Sequence, residues 1–256
     1  YFIMVTLISP SKTLNFDDNN SCNLNTDCRL INHTSELHKI LVNFSINDLK
    51  DLMNVSDKIA ELNYNRFKHW EEPSKSDSSK QAIYAFKGDV YSGLDAESIS
   101  ENKFDFLQEN LRIISGFYGL LRPFDKILPY RLEMGTKLSN SRGNNLYEFW
   151  GDNITNLLNN DIEDENSYVV NLASNEYFKS IKKNKLKNEI ITPIFKEFRN
   201  GTYKTIAIYA KKARGLMSRF IIDNKIQKPE NLKAFNLERY SFDGNLSDDY
   251  NYVFTR

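Results

Sequence analysis

LRIISGFYGLLRPFDKILPYRLEMGTKLSNSRGNNLYEFWG, residues 111–151, holds five of the ten glycines and two of the six prolines of this 256-residue chain. They are interleaved with aromatics and with Arg122, Lys126, Arg131, Lys137 and Arg142. Residues 113–116 read as a buried strand leading in, and little of the rest reads as ordinary helix. A solvated loop is sparing with large apolar groups, whereas this one keeps Phe117, Tyr118, Leu120, Leu121, Phe124, Leu128, Tyr130 and Met134. The combination predicts irregular backbone pinned by its own side chains, with glycine and proline supplying special angles, as ligand-binding loops are built. The competing reading is a buried connection whose glycines serve only turns.

On its C-terminal side, residues 146–158 read as one aromatic helix through Tyr147, Phe149 and Trp150, and 161–166 as an exposed acidic loop. Residues 168–172 are a clear strand, ending in Ala173, Ser174, Asn175 and Glu176, with Ser174 placed to cap an amphipathic helix. Residues 189–198 and 203–210 read as a hairpin around Asn200 and Gly201. The second strand runs into YAKKARGLMSRFII, residues 209–222, where Lys211, Lys212 and Arg214 crowd the start of a helix. Cations there oppose the dipole by about 0.3–1 kcal/mol each, and a bound anion would remove the conflict. A basic solvated face is the alternative. Phe235, Tyr240, Phe242 and residues 252–255 read as a short helix and closing strands.

On its N-terminal side, residues 100–112 look helical. QAIYAFKGDVYSGLDAES, residues 81–98, suggests a strand over 83–86, followed by an aromatic turn with Asp89 and Tyr91 between Gly88 and Gly93. Asp89 beside Lys87 can position a proton or a hydroxyl, or be a solvated turn. Residues 34–70 read as three helices, the second capped by Ser45 with Asp48 and the third by Ser56. The join, residues 49–60, resembles a helix-hairpin-helix motif, in which N–H groups opening the second helix face a DNA phosphate. Lys58 reinforces that attraction, although Asn54 and Ser56 stand where the motif has glycines. Three packed helices explain the pattern equally well. Residues 5–9 form a short strand ending in Ser9, Pro10, Ser11, Lys12 and Thr13, a polar cup of the kind that binds ligands at strand ends.

The whole chain carries 34 basic and 34 acidic residues, so no long-range field draws in nucleic acid or membrane, and any such role rests on local clustering. No apolar run approaches the roughly 20 residues of a membrane span, and a cytoplasmic location is expected, with no membrane partner. Tyr1, Phe2 and Ile3 precede Met4, which reads as an initiator. Cys22 and Cys28 sit in a polar excursion over 15–32 and fit no zinc spacing; with only His33, His38 and His69 besides, neither a metal cage nor a cofactor is expected. Two reduced thiols are expected over a redox pair.

ISPSKTLNF at 8–16, the 81–98 segment, 111–138, NLASNEYFKS at 171–180 and YAKKARGLMSRFII together resemble the bacterial YaaA family, in order and across the chain from Met4 onward. That resemblance implies a mixed α/β (α+β) fold in a single compact domain over residues 4–256, with a mixed β-sheet surrounded by helices. It further implies a cytoplasmic protein of the peroxide stress response that limits iron- and peroxide-dependent damage. DNA binding through a positive cleft and a helix-hairpin-helix element at 45–70 is implied in the same way.

Two functions are carried forward. In the first, Lys12, Ser56, Lys58, Arg122, Arg131, Lys137, Arg142, Lys211, Lys212 and Arg214 bind phosphates of double-stranded or locally unpaired DNA with little sequence preference, and Tyr118, Tyr130 or Trp150 stack on an exposed base. In the second, Ser9, Lys12, Asp89, Arg131, Glu133, Asn171, Ser174 and Glu176 serve an enzyme acting on a nucleobase, a nucleotide or a small phosphorylated ligand. Glu133 is then the general acid or base, with Lys12 or Arg131 stabilising negative charge; convergence of Lys12, Arg131 and Glu133 in one pocket is its geometric requirement. Direct iron sequestration is a third option, disfavoured by the scarcity of histidine and cysteine.

Overall fold

The computed structural model describes residues 3–17, 21–164 and 166–256; parts of the 15–32 excursion and of the 161–166 loop, and the first two residues, lie outside these. The chain opens with β1 (Met4–Ile8) and β2 (Thr13–Leu14), then α1 (Ile31–Leu41), α2 (Ile46–Met53) and α3 (Asp57–Lys68). Next come β3 (Lys80–Gln81), α4 (Ala82–Ala85), β4 (Phe86–Lys87), α5 (Asp89–Leu94) and α6 (Phe104–Asn110). The central stretch contributes β5 (Leu111–Ser115), β6 (Gly119–Leu121), β7 (Lys126–Ile127) and α7 (Leu146–Trp150). After it come α8 (Asn153–Asp161), β8 (Tyr168–Asn171), α9 (Asn175–Phe178), β9 (Glu189–Arg199), β10 (Thr202–Lys204), α10 (Ala207–Asp223), β11 (Ser241–Phe242) and β12 (Asn251–Thr255).

The main sheet runs β11-β12-β9-β8-β1-β5-β6, with β10 on β9. The pairs from β12 through β5 are parallel and the outer pairs antiparallel. The fold is therefore mixed α/β around a mostly parallel sheet. Every residue of β1 is buried, as expected for a parallel strand covered on both faces. From β1 the chain moves to β5 on one side, then returns to β8 on the other. That reversal makes a topological switch point at the carboxyl ends of β1 and β8, where open α/β sheets bind ligands.

The central stretch is pinned as expected. Ser115 Oγ accepts from the N–H groups of Phe117 and Tyr118 at 3.2 and 2.9 Å and bonds the Tyr130 hydroxyl at 2.6 Å. Trp150 Nε1 donates to the Gly116 carbonyl at 3.0 Å. A Cβ on Gly116 would lie 2.2 Å from the Leu132 carbonyl oxygen, so only glycine lets the two backbones touch. Ser45 and Asp48 form the expected reciprocal cap of α2. Asn200 and Gly201 turn the β9–β10 hairpin with positive φ of 50° and 77°, the pair that a two-residue type I′ turn demands.

Several expectations are corrected. Residues 83–86 are mostly a helical turn; Ala82 to Ala85 are all buried, so their alternation carried no facial information. The aromatic turn after Gly88 is the helix α5. The 146–158 helix breaks at Gly151, whose φ is 50°. Asp161 is not part of an exposed loop: it ends α8 against Arg29 and the buried Arg112, whose Nε lies 2.6 Å away. The strand expected over 203–210 stops at Lys204. Among the described residues no helix is long and apolar enough to cross a membrane.

Candidate functional site

At the switch point the two strand ends are joined by their serines. Ser174 donates its backbone N–H to Ser9 Oγ at 2.8 Å, and the two hydroxyls lie 3.3 Å apart. The Tyr91 hydroxyl donates to the Ser9 carbonyl at 3.1 Å. Above them opens a cleft of about 480 Å³, walled by residues 9–13 after β1, residues 87–91 at the start of α5, residues 174–177 after β8, and Lys211 and Arg214 of α10. Burial pushes the Tyr91 and Tyr177 hydroxyls well above the usual tyrosine range, so both are neutral hydrogen-bonding walls.

Glycines set the width of this cleft. A Cβ on Gly215 would lie 1.9 Å from the Val90 carbonyl oxygen, and one on Gly93 would lie 2.3 Å from that of Lys212. Helices α5 and α10 therefore meet backbone to backbone. That contact brings Lys211 and Arg214 alongside Gly88 and Asp89. Gly88 has φ 114° and passes beneath Ser11, whose Oγ would be 3.0 Å from an added Cβ.

Charge in the cleft is uneven. Lys12 reaches Glu133 at 2.7 Å, Arg131 holds the other oxygen of that carboxylate at 3.0 Å, and Lys87 pairs with Glu97 at 2.7 Å. Glu176 accepts from the Gly135 N–H at 2.9 Å, and Asp89 is exposed at the mouth. Arg214 differs from these: among the described residues nothing hydrogen-bonds or ion-pairs with its guanidinium, and desolvation by burial lowers its pKa. A half-buried cation without a counter-charge is destabilising and attracts an anion.

Ion pairs through Glu133 thus bring Lys12 and Arg131 together, but the three do not share one pocket as the enzyme reading requires: Lys12 lines the cleft, and Arg131 and Glu133 do not. Arg131 and Glu133 line instead an adjoining hollow of about 230 Å³ with Leu52, Met53 and Asn54, and Glu176 borders both spaces. This hollow places the α2–α3 turn beside the cleft. Asn54 adopts φ 48°, and the Ser56 hydroxyl makes no capping bond to α3. Ser56 and Lys58 are exposed at the start of α3, where Asp57 pairs with Lys50 at 2.7 Å. Lys137 is exposed one residue past Thr136 of the hollow.

Other expected residues lie elsewhere. Arg122 is engaged by the buried Asp125 and by the Asp27 carbonyl. Arg142 pairs with Glu36 at 2.5 Å and covers the Phe149 ring. Lys212 turns to Glu238 at 2.5 Å. Asn171 is buried, its Oδ1 accepting from Ala173 N–H at 3.1 Å. Tyr118, Tyr130 and Trp150 are 0, 5 and 0 % exposed, so none is available to stack on a base; their rings fill the core. Because α10 begins at Ala207, Lys211 to Arg214 occupy its second turn, and the conflict with the dipole that sequence suggested is replaced by desolvation of Arg214. Tyr91, Tyr177 and the Gly93–Gly215 contact escaped sequence reasoning. The one available signal was Gly215, a residue unfavourable inside a helix unless something packs against it. Among the described residues no three of His, Cys, Asp and Glu cluster to hold a metal ion.

Comparison with known proteins gives a family match over residues 4–246, to a family described as peroxide stress protein YaaA. UPF0246 proteins of Aliivibrio fischeri strains MJ11 and ATCC 700601 / ES114 are each 52 % identical over 240 residues, covering 93 % of both chains.

Proposed function

The chain belongs to the peroxide stress protein YaaA family, and from that premise we propose that it is a DNA-binding protein limiting iron- and peroxide-dependent damage. Phosphates are held in the cleft at the ends of β1 and β8, without strong sequence preference. The observation that carries this reading is Arg214, half-buried, lining the cleft and without a counter-ion among the described residues. Lys211 stands beside it, and the α2–α3 turn reaches the adjoining hollow through Asn54, with Ser56 and Lys58 exposed a few residues further along the chain. Backbone phosphates supply affinity, and little in the cleft reads bases. Fluorescence anisotropy with a short duplex tests the proposal: log affinity should fall linearly with log salt, by about 0.9 per phosphate neutralised. Absence of binding at low salt, or binding indifferent to salt, rejects it.

A second reading is favoured by the ion pairs that tie Lys12, at the switch point, to Glu133 and through it to Arg131 in the adjoining hollow. An enzyme acting on a nucleobase, a nucleotide or another small phosphorylated substrate would use Glu133 as general acid or base, with Lys12 or Arg131 meeting developing negative charge. Both oxygens of Glu133 are held by cations, so substrate phosphate must first draw one of them away. Calorimetry with nucleoside monophosphates discriminates: heat of binding that is lost in Lys12→Met supports a small-ligand site, and no heat removes it.

A further inference from the structure

The rings that sequence nominated for base stacking are buried, and a different set faces solvent. On the β9–β10 hairpin Phe198 and Tyr203 are directly opposed across the strands, their centroids 5.1 Å apart. They are 56 and 42 % exposed. Tyr209, in the first turn of α10, is also exposed and lines a hollow of about 560 Å³ with Glu197, Phe198, Arg199, Arg239 and Arg256.

The polar groups of this hollow divide into two kinds. Arg256 is committed to Glu197 at 2.9 Å and lies over the Tyr209 ring, while the Tyr240 hydroxyl donates to the same carboxylate at 2.5 Å. Among the described residues nothing pairs with the side chains of Arg199 or Arg239, and both are exposed. Arg239 and its neighbour Glu238 both hold positive φ, 66° and 50°, a conformation unfavourable for non-glycine residues. Glu238 is fixed there by Lys212 at 2.5 Å and Arg256 at 3.3 Å. Those ion pairs hold the strained turn that sets Arg239 at the hollow.

We propose that the β9–β10 hairpin and the hollow beside it form a second nucleic-acid surface, one that takes an unpaired strand by stacking bases on Phe198 and Tyr203 and phosphates on Arg199 and Arg239. It rests on the DNA-binding reading above. Three arginines stand against one carboxylate already neutralised by Arg256, so the charge complements a polyanion. Exposed rings beside those cations suit a strand whose bases are free, because every base has a stacking face while a duplex hides its own. The sites are distinct: Tyr209 lines this hollow and Lys211 the cleft, so the first turns of α10 separate them.

The test compares oligothymidylate with a duplex by anisotropy. A Phe198→Ala, Tyr203→Ala double variant should lose roughly 25-fold or more in single-strand affinity, about 5-fold at least for each of two stacked bases, and retain duplex affinity and melting temperature. Phe198→Trp should have its emission quenched by oligothymidylate. Undiminished single-strand affinity in the double variant, or absence of quenching, overturns the proposal, as does polyglutamate of equal charge competing equally well. Weakened duplex binding in Arg214→Met with single-strand binding intact supports two surfaces. A wild-type protein binding neither nucleic acid defeats this proposal and the cleft reading together, whereas duplex binding with no single-strand binding defeats this one alone.

Discussion

Arg214 and Asp161 show opposite ways of placing a charge inside a protein. The Arg214 guanidinium has desolvation and, among the described residues, no partner, so replacing it with methionine, which keeps the apolar stem, should leave the melting temperature unchanged or raise it. The same variant should weaken duplex binding and reduce its salt slope by about 0.9; a lower melting temperature with unchanged slope would make Arg214 a structural residue. Asp161 is half-buried too, and desolvation alone would raise its pKa, but hydrogen bonds from Arg29 and the charge and hydrogen bond of Arg112 outweigh this and hold it below the ordinary carboxylate range. A depressed folded pKa contributes stability that is present above the unfolded value of about 3.9 and lost as pH falls through the folded one. Asp161→Asn, which leaves two arginines facing a neutral group, should destabilise by about 3–5 kcal/mol at pH 7. Its deficit relative to the parent, followed by denaturant melts, should shrink below about pH 4. Sequence placed Asp161 in a solvated loop because it begins an acidic run; its partners lie 132 and 49 residues away, and no local pattern announces them.

At the scale of elements, the contact of α5 with α10 sets the geometry of the cleft. An alanine in place of a glycine in a helix interior normally stabilises by about 1 kcal/mol. At position 215 the added methyl would strike the Val90 carbonyl, so Gly215→Ala should instead destabilise, by about 1–3 kcal/mol or more as overpacking does. The displaced α10 should also cost duplex affinity; a thermal melt showing stabilisation would refute the close packing. Strands β1 and β8 and the hairpin turn were legible because runs of buried apolar residues and the Asn200–Gly201 pair carry local signals. The start of α10 was not, since Ile206, Ile208 and Tyr209 have the chemistry of a strand and only the tertiary position decides. Likewise the four buried residues of α4 display no polar face from which a period could be read.

On the scale of the molecule, the sequence held the parts of the cleft and not their meeting. Lys12 and Glu133 are brought together by the crossover from β1 to β5, and Lys211 and Arg214 by the return of the chain past β8 and β9; spacing along the chain encodes neither. Arg122 and Arg142, basic residues of the same central stretch, were directed by folding to carboxylates elsewhere, so a cation count could not separate ligand-facing from structural arginines. The join of β1 to β8 through Ser9 and Ser174 has one consequence for endurance under stress. Its four walls come from regions scattered along the polypeptide, so an occupant acts as a clasp that exists only while every wall is in register. Occupied molecules should therefore outlast empty ones on heating, by about 2.7 kcal/mol when the occupant is present at a hundred times its dissociation constant. A thermal shift that grows with the logarithm of added duplex would register that protection, and its absence would mean that the walls close on nothing the duplex offers.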